Sequence, residues 1–378
     1  GCAMRLKSKT FLVIGGALCA FGAIFCAIIL AIGQFDFMKV ISVEKYEDKV
    51  YTLPAGALTA LNLDAQNQRV VFQPAAGSDI VIRYREFASD TYTFEQQGAS
   101  LNVTYRCDQK WYQSLVQGMF GGIARASQSI TVEVPPQYAG LLNARTTNAS
   151  LTADSLPKLT ECRLATTNGT LRVSDITADT FILSTTNAGV HLDRLQGAAL
   201  FVTSTNGSIH LADLAMTGEL TARTTNASLQ ADRVEAAAGQ FNTTNGSLAL
   251  RNGSFSGTVS AGTTNASLKT DAVEAPEADF TTQSGSVRLE NSRFAARVSV
   301  RTTNAGIRVD QLASPDIRLS STNGSIKGTI AGSQQDYSIV TNTTNGSASP
   351  SSVINKQAPG QLNATTSNSS ITLTFTGA

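Results

Sequence analysis

The chain has 378 residues, with 29 Lys and Arg against 28 Asp and Glu; a net charge of +1 leaves no basic excess for a nucleic-acid surface held by phosphate attraction. Only 15% of residues are charged while 30 are Gly, and Thr, Asn and Ser abound, which favours extended segments joined by many turns. The length admits two or three ordinary domains or one elongated repeat array.

Residues 1–9, with Arg5, Lys7 and Lys9, form a basic N-terminus before the uncharged apolar run TFLVIGGALCAFGAIFCAIILAIG, residues 10–33. The run is long enough to cross a bilayer as a signal-anchor helix. The positive flank keeps the N-terminus cytoplasmic and puts the remainder outside, which predicts a single-pass protein of the cell membrane. A cleaved signal peptide is the alternative, with Ala31 and Gly33 as the small residues, but the apolar stretch is longer than a usual secretory one. Phe25 before Cys26 and Leu18 before Cys19 are too large for a lipobox. Residues 34–54 read as a juxtamembrane linker.

Residues 55–140 alternate like ordinary strands in ALTALNLDAQNQRVVFQP, DIVIRYREF and ASLNVTYRC, and are expected to form a strand-rich lead-in and cap. Within them WYQSLVQGMFGGIARA is apolar without a strand period, and a cap over the open end of a core is preferred to a loop on the membrane. Cys107 and Cys162 are the cysteines beyond the anchor region; two buried thiols are preferred to a disulfide.

From residue 141 to 378 one phrase recurs. Aligned on its polar corner it gives Asn148, Asn168, Asn187, Asn206, Asn226, Asn245, Asn265, Ser284, Asn304 and Asn323, at intervals of 19 or 20 residues, with looser copies at Asn345 and near Ser367. The next residue alternates between Ala and Gly, so the unit that duplicated is a pair of coils spanning 39 residues. Apolar residues fall six and four positions before the Asn and three, five and eight after it, as in Phe181, Leu183, Val190, Leu192 and Leu195 around Asn187. Alternation by two on each side describes two short strands with one buried face, joined by a tight corner. Asn suits that corner because it tolerates the left-handed conformation and its amide can bond nearby backbone. The first Thr of each TT shares the inward parity and should bond backbone; the second should form an outward ladder.

A unit this short cannot bury its own apolar face, so it stacks on copies of itself as a parallel β-solenoid, an all-β fold. About twelve coils at about 4.8 Å each give a rod of about 55 Å. The period-2 pattern excludes helical repeats, and a propeller blade needs about twice the length. Phe181, Phe201, Phe241 and Phe280 are all assigned to the inward rank, which leaves no aromatic platform for sugar stacking.

Two outward rows carry chemistry. His191 and His210, the only histidines, should stack about 5 Å apart on adjacent coils, with Asp193 beside them. A metal site is conceivable, but without a third ligand a solvated pair is preferred. Lys269, Arg288, Arg308 and Lys327 occupy consecutive rungs and could bind an anionic polymer such as teichoic acid or an acidic polysaccharide. The competing reading has Asp271, Glu290 and Asp310 neutralise that row across the sheet. No catalytic triad, phosphate loop or clustered metal ligands are written in the chain, and no cofactor is expected.

The strand-rich lead-in, the ITVEVPP entry and the TTNGSI and TTNASL coils resemble, over residues 55–378, the DUF4097 family, adhesin-like proteins common in Gram-positive bacteria and often membrane-anchored. The resemblance implies a non-enzymatic adhesin-like binding or structural module of the bacterial cell envelope. The partners it suggests are the membrane through residues 10–33 and an anionic cell-wall polymer or surface protein. Some relatives occur beside envelope-stress regulators, so a signalling accessory is one alternative; a glycan-active enzyme of the β-helix type is another.

Overall fold

The structure, a computed structural model, describes residues 18–28, 31, 45–108 and 128–377. Residues 18–28 are helical, with Leu18, Phe21, Ile24 and Ile28 exposed. The rest of the expected anchor over 10–33, apart from residue 31, lies outside the described residues, as do residues 109–127 with the WYQSLVQGMFGGIARA segment. Among the described residues no helix is long and apolar enough to cross a membrane.

The chain divides into two compact units. The smaller contains residues 1–49, 85–92 and 106–128. In it the Arg85 guanidinium lies 4.0 Å from the centre of the Tyr46 ring and forks onto Asp48 at 2.8 and 3.2 Å. The buried Gln128 side chain donates to Asp90 Oδ2 at 2.8 Å and to the Arg85 carbonyl at 2.7 Å.

The larger unit is the parallel β-solenoid that the repeat predicts. Ten coils, those cornered at 148 through 323, stack in sequence order with residues beside their counterparts 19 or 20 positions on, apart from a register shift that sets Leu312 beside Ile330. The pairing of Leu171–Ser184 with Val190–Thr203 shows three runs per coil, interrupted at Asp175 and Asp179. Each coil thus has three faces and three corners. The inward positions read from the sequence are buried: Phe181, Val190, Leu195 and Leu200 are fully enclosed, and Leu183 and Leu192 nearly so. Cys162 occupies one of these core positions, and burial pushes its thiol up to about 12. Cys107 is only half-buried, so the expectation of two buried thiols holds for Cys162 alone.

The lead-in is not a separate cap. The strands Ala60–Asp64 and Arg69–Pro74 make a coil in parallel register with Leu141–Arg145 and Leu151–Asp154 on one side. On the other side they pair with Ser100–Cys107 and Ser129–Val134. The first coil in the chain is therefore second in the stack, and Asp79–Phe87 pairs antiparallel with Ser129–Val134 through residues 81–83. The C-terminal end repeats the device. Gly360–Thr366 and Ile371–Phe375 slot between the coil at 316–330 and the coil at 337–349. At each end the outermost coil is an internal segment of the chain.

The second Thr of the phrase faces outward, with Thr147, Thr186, Thr205 and Thr225 exposed, and the first faces the core. In the ten coils cornered at 148 through 323 the first hydroxyl of the phrase is buried and donates to the carbonyl one coil back, as Thr185 does to Gly169 at 3.3 Å and Thr224 to Gly207 at 3.0 Å. In Gly-type coils the same hydroxyl also accepts the Gly N–H, from Gly169 to Thr166 and from Gly246 to Thr243, both at 3.1 Å. Here the Ala and Gly alternation finds its cause. A Cβ on Gly169, Gly207, Gly246, Gly285 or Gly324 would lie between 1.6 and 1.9 Å from the carbonyl oxygen of the Ala one coil earlier. Alternate coils press their corners together, and only a residue without a side chain fits between them.

Candidate functional site

The corner Asn residues do not take the left-handed conformation expected of them. Positive φ falls instead seven positions later, at Ser155, Asp175, Arg194, Asp213, Arg233, Asn252, Ala272, Asn291 and Gln311, all between 48° and 54°. Nor do the Asn amides turn to nearby backbone. Each Nδ2 donates to the Oδ1 of the Asn on the neighbouring coil: Asn148 to Asn67, Asn168 to Asn148, Asn187 to Asn168, and on through Asn206, Asn226, Asn245 and Asn265, at 2.6 to 2.8 Å. Beyond Ser284 the ladder resumes from Asn304 to Asn323, Asn368 and Asn345, at 2.7 to 3.0 Å. A strand spacing of about 4.8 Å is what an amide can bridge, so each rung with an Asn on both sides donates once and accepts once.

The left-handed corner carries a second network that the sequence reading missed. Arg194 forks onto Asp175 with two 2.7 Å bonds and also reaches Asp193. Arg233 forks onto Asp213 at 2.6 and 2.9 Å and reaches Asp232. The hydrogen bonds from the two arginines hold the Asp175 and Asp213 carboxyls below the usual carboxylate range. The alternation of Asp and Arg seven positions after the Asn was the available signal.

His191 and His210 stack as expected, with ring centres 5.0 Å apart and planes 4° from parallel. Burial first, then the neighbouring His210 and Arg172, lower the His191 pKa. Asp193, the expected third partner, is engaged by Arg194. Among the described residues no group of three or more His, Cys, Asp or Glu is placed to hold a metal ion.

The basic row is in register: Lys269 beside Arg288, Arg288 beside Arg308, Arg308 beside Lys327. Its two halves differ. Glu290 takes Lys269 at 2.7 Å and also Arg288, and the Lys269 hydrogen bond leads in keeping its carboxyl below the usual range. Asp310, beside the other half, accepts from the Thr329 hydroxyl at 2.8 Å instead. Arg308 and Lys327 have no ion pair among the described residues, so the neutralisation read from the sequence covers only half the row.

Phe201 corrects the aromatic assignment. It lies five positions before Asn206, the outward parity, and is 36% exposed in a rung with Ile182 and Thr221, whereas Phe181, Phe241 and Phe280 are fully buried. A hollow of about 1080 Å³ at the C-terminal end is lined by Tyr337, Ile339, Ile354, Phe375 and polar neighbours, without a carboxylate, imidazole or thiol. A second, of about 490 Å³, lies along the Asp175, Arg194 and Asp213 corner.

A family model described as Toastrack DUF4097 matches residues 58–251 and again 243–376. No match is found among curated proteins. Similar solved structures include a candidate cell adhesion protein from Clostridium sporogenes, at 7% identity over 88% of this chain and 100% of that one, TM-score 0.24. A candidate lipid-binding protein from Parabacteroides distasonis shares 9% identity over 87% and 97% of the two chains, TM-score 0.32. A candidate adhesin from Bacteroides fragilis shares 8% over 88% and 98%, TM-score 0.26.

Proposed function

Because the chain belongs to the Toastrack DUF4097 family, we propose that it is an adhesin-like, non-enzymatic binding module of the bacterial cell envelope, tethered to the membrane through residues 10–33 and displaying its solenoid outside. The observation that carries this reading is the basic row, which ends in two cations, Arg308 and Lys327, without ion pairs among the described residues and set one rung apart on the same face. A row of like charges at the spacing of stacked strands lowers its own repulsion by taking up a polyanion. The carboxylates of the corner network are engaged by arginines, and the larger hollow is lined by Tyr337 and Lys356 but by no carboxylate, imidazole or thiol, which supports binding over catalysis.

The test is retention of the purified chain on an anionic wall polymer, teichoic acid, at low and moderate salt. The double variant Arg308→Glu and Lys327→Glu should bind at least about tenfold more weakly, with a shallower salt dependence. Equal binding by both proteins, or none by either, would reduce the row to ordinary surface.

A further inference from the structure

Five corners of the array place Gly directly after the ladder Asn: Asn168, Asn206, Asn245, Asn323 and Asn345. This step is the one most open to self-modification. The Gly amide nitrogen, on losing its proton, attacks the Asn Cγ; a carbon–nitrogen bond forms and ammonia leaves. Water then opens the succinimide at either carbonyl, to give Asp or isoAsp. No oxidant or cofactor is needed, but the attacking nitrogen must be free and the side chain must swing toward it. A fold suppresses the reaction by occupying the N–H and by holding the amide.

Four of the five corners do both. Gly169, Gly207, Gly246 and Gly324 donate their N–H to the hydroxyls of Thr166, Ser204, Thr243 and Ser321 at 2.9 to 3.1 Å, and these four residues are only 5 to 7% exposed. The side chains of Asn168, Asn206 and Asn245 are each held from both neighbouring rungs, as is Asn323 between Asn304 and Asn368. Asn345 differs in each respect. It is the outermost rung, held through a single bond from its Nδ2 to Asn368. The corresponding hydroxyl, on Thr343, is half-buried; it donates to the Ser369 carbonyl at 2.7 Å as the other caps donate to theirs, but the Gly346 N–H has no acceptor among the described residues. Asn345 and Gly346 are both exposed to water.

We propose that Asn345 is a deamidation site of the folded protein, while the hydroxyl caps and the amide ladder protect the other four Asn-Gly steps of the ladder; the sixth Asn-Gly step, Asn252–Gly253, lies outside the ladder, its amide donating to Asp232 at 2.8 Å. Conversion puts a carboxylate on the terminal rung and removes its donor to Asn368.

The experiment is incubation of the full chain near pH 8 and 37 °C, followed by peptide mapping for the change of about one mass unit and for isoAsp, with a urea-unfolded sample alongside. Asn345 should convert about tenfold faster than any of the other four in the folded chain, a ratio equal to about 1.4 kcal/mol of protection, and all five should converge in urea. The variant Thr243→Val, which removes one cap, should raise conversion at Asn245 by several-fold. Equal rates at all five corners of the folded chain would overturn the proposal. An unchanged rate at Asn245 in Thr243→Val would overturn the role given to the hydroxyl.

Discussion

Substituting Gly207 by Ala tests why the duplicated unit is two coils long. A Cβ there would sit 1.6 Å from the Ala188 carbonyl oxygen and 2.2 Å from its carbon, where real Cβ atoms stay beyond 3.0 Å. The corner must open by about 1.4 Å, and the neighbour cannot yield because the obstacle is backbone in a hydrogen-bonded ladder. Three bonds are at stake: Asn206 N–H to Thr186 at 2.7 Å, Gly207 N–H to Ser204 at 2.9 Å, and the Asn206 amide to Asn187 at 2.7 Å. Stretched by that amount they pass out of hydrogen-bonding range, at a cost of about 1 kcal/mol each. The lost freedom of the unfolded chain returns about 0.5 to 1 kcal/mol, so the net destabilisation should be about 2 kcal/mol. Urea unfolding followed by circular dichroism measures it. Amide exchange at residues 186–207 shows whether the loss is local, as it should be in an array whose coils touch only their neighbours. Gly189→Ala is the control, since its nearest contact would be an ordinary 3.4 Å. The steric account fails if the two variants are equally stable.

Ala272 holds φ 52° without a side chain that can bond in compensation, so Ala272→Gly should stabilise the array by about 0.5 to 1 kcal/mol in the same assay. A loss of stability would show that the left-handed corner carries no strain. The lowered His191 pKa means the folded state binds its proton less readily than the unfolded chain. Its contribution is therefore intact above about 6.5 and is lost as pH falls from there to the folded value. An imidazole titration by NMR should place the His191 midpoint below 6.5, and His191→Gln should flatten thermal stability across that window. A midpoint at or above 6.5 would contradict the reading.

The inward ranks were legible because parity alone decides which side chains meet the core, and every coil repeats the test. The lead-in was misread because it was compared by phrase and not by parity. Around Asn67, Leu61, Leu63, Val70, Phe72 and Ala75 fall at the repeat's own apolar positions, and all are buried. Its place in the stack was beyond a spacing argument, since sequence intervals presume that successive coils are neighbours. Phe201 shows the opposite failure, in which a residue type was trusted over its position. The left-handed corner escaped because the residues there share a backbone conformation and no single chemistry. Half of the basic row was misjudged because partner choice depends on reach: Glu290 meets two cations, while Asp310 finds a hydroxyl.

The inserted coils at the two ends bear on how such a molecule comes apart. A stack that followed chain order would unravel like knitting, from a loose thread at its last row. Here the last row at the C-terminal end, 337–349, is a bight whose two sides run back into the fabric, at 330 and at 360. At the other end, the row made by Ser100–Cys107 and Ser129–Val134 is covered in part by the antiparallel strand Asp79–Phe87, itself an internal segment of the chain. To start a run in this weave, a protease must cut a loop before it can pull a thread.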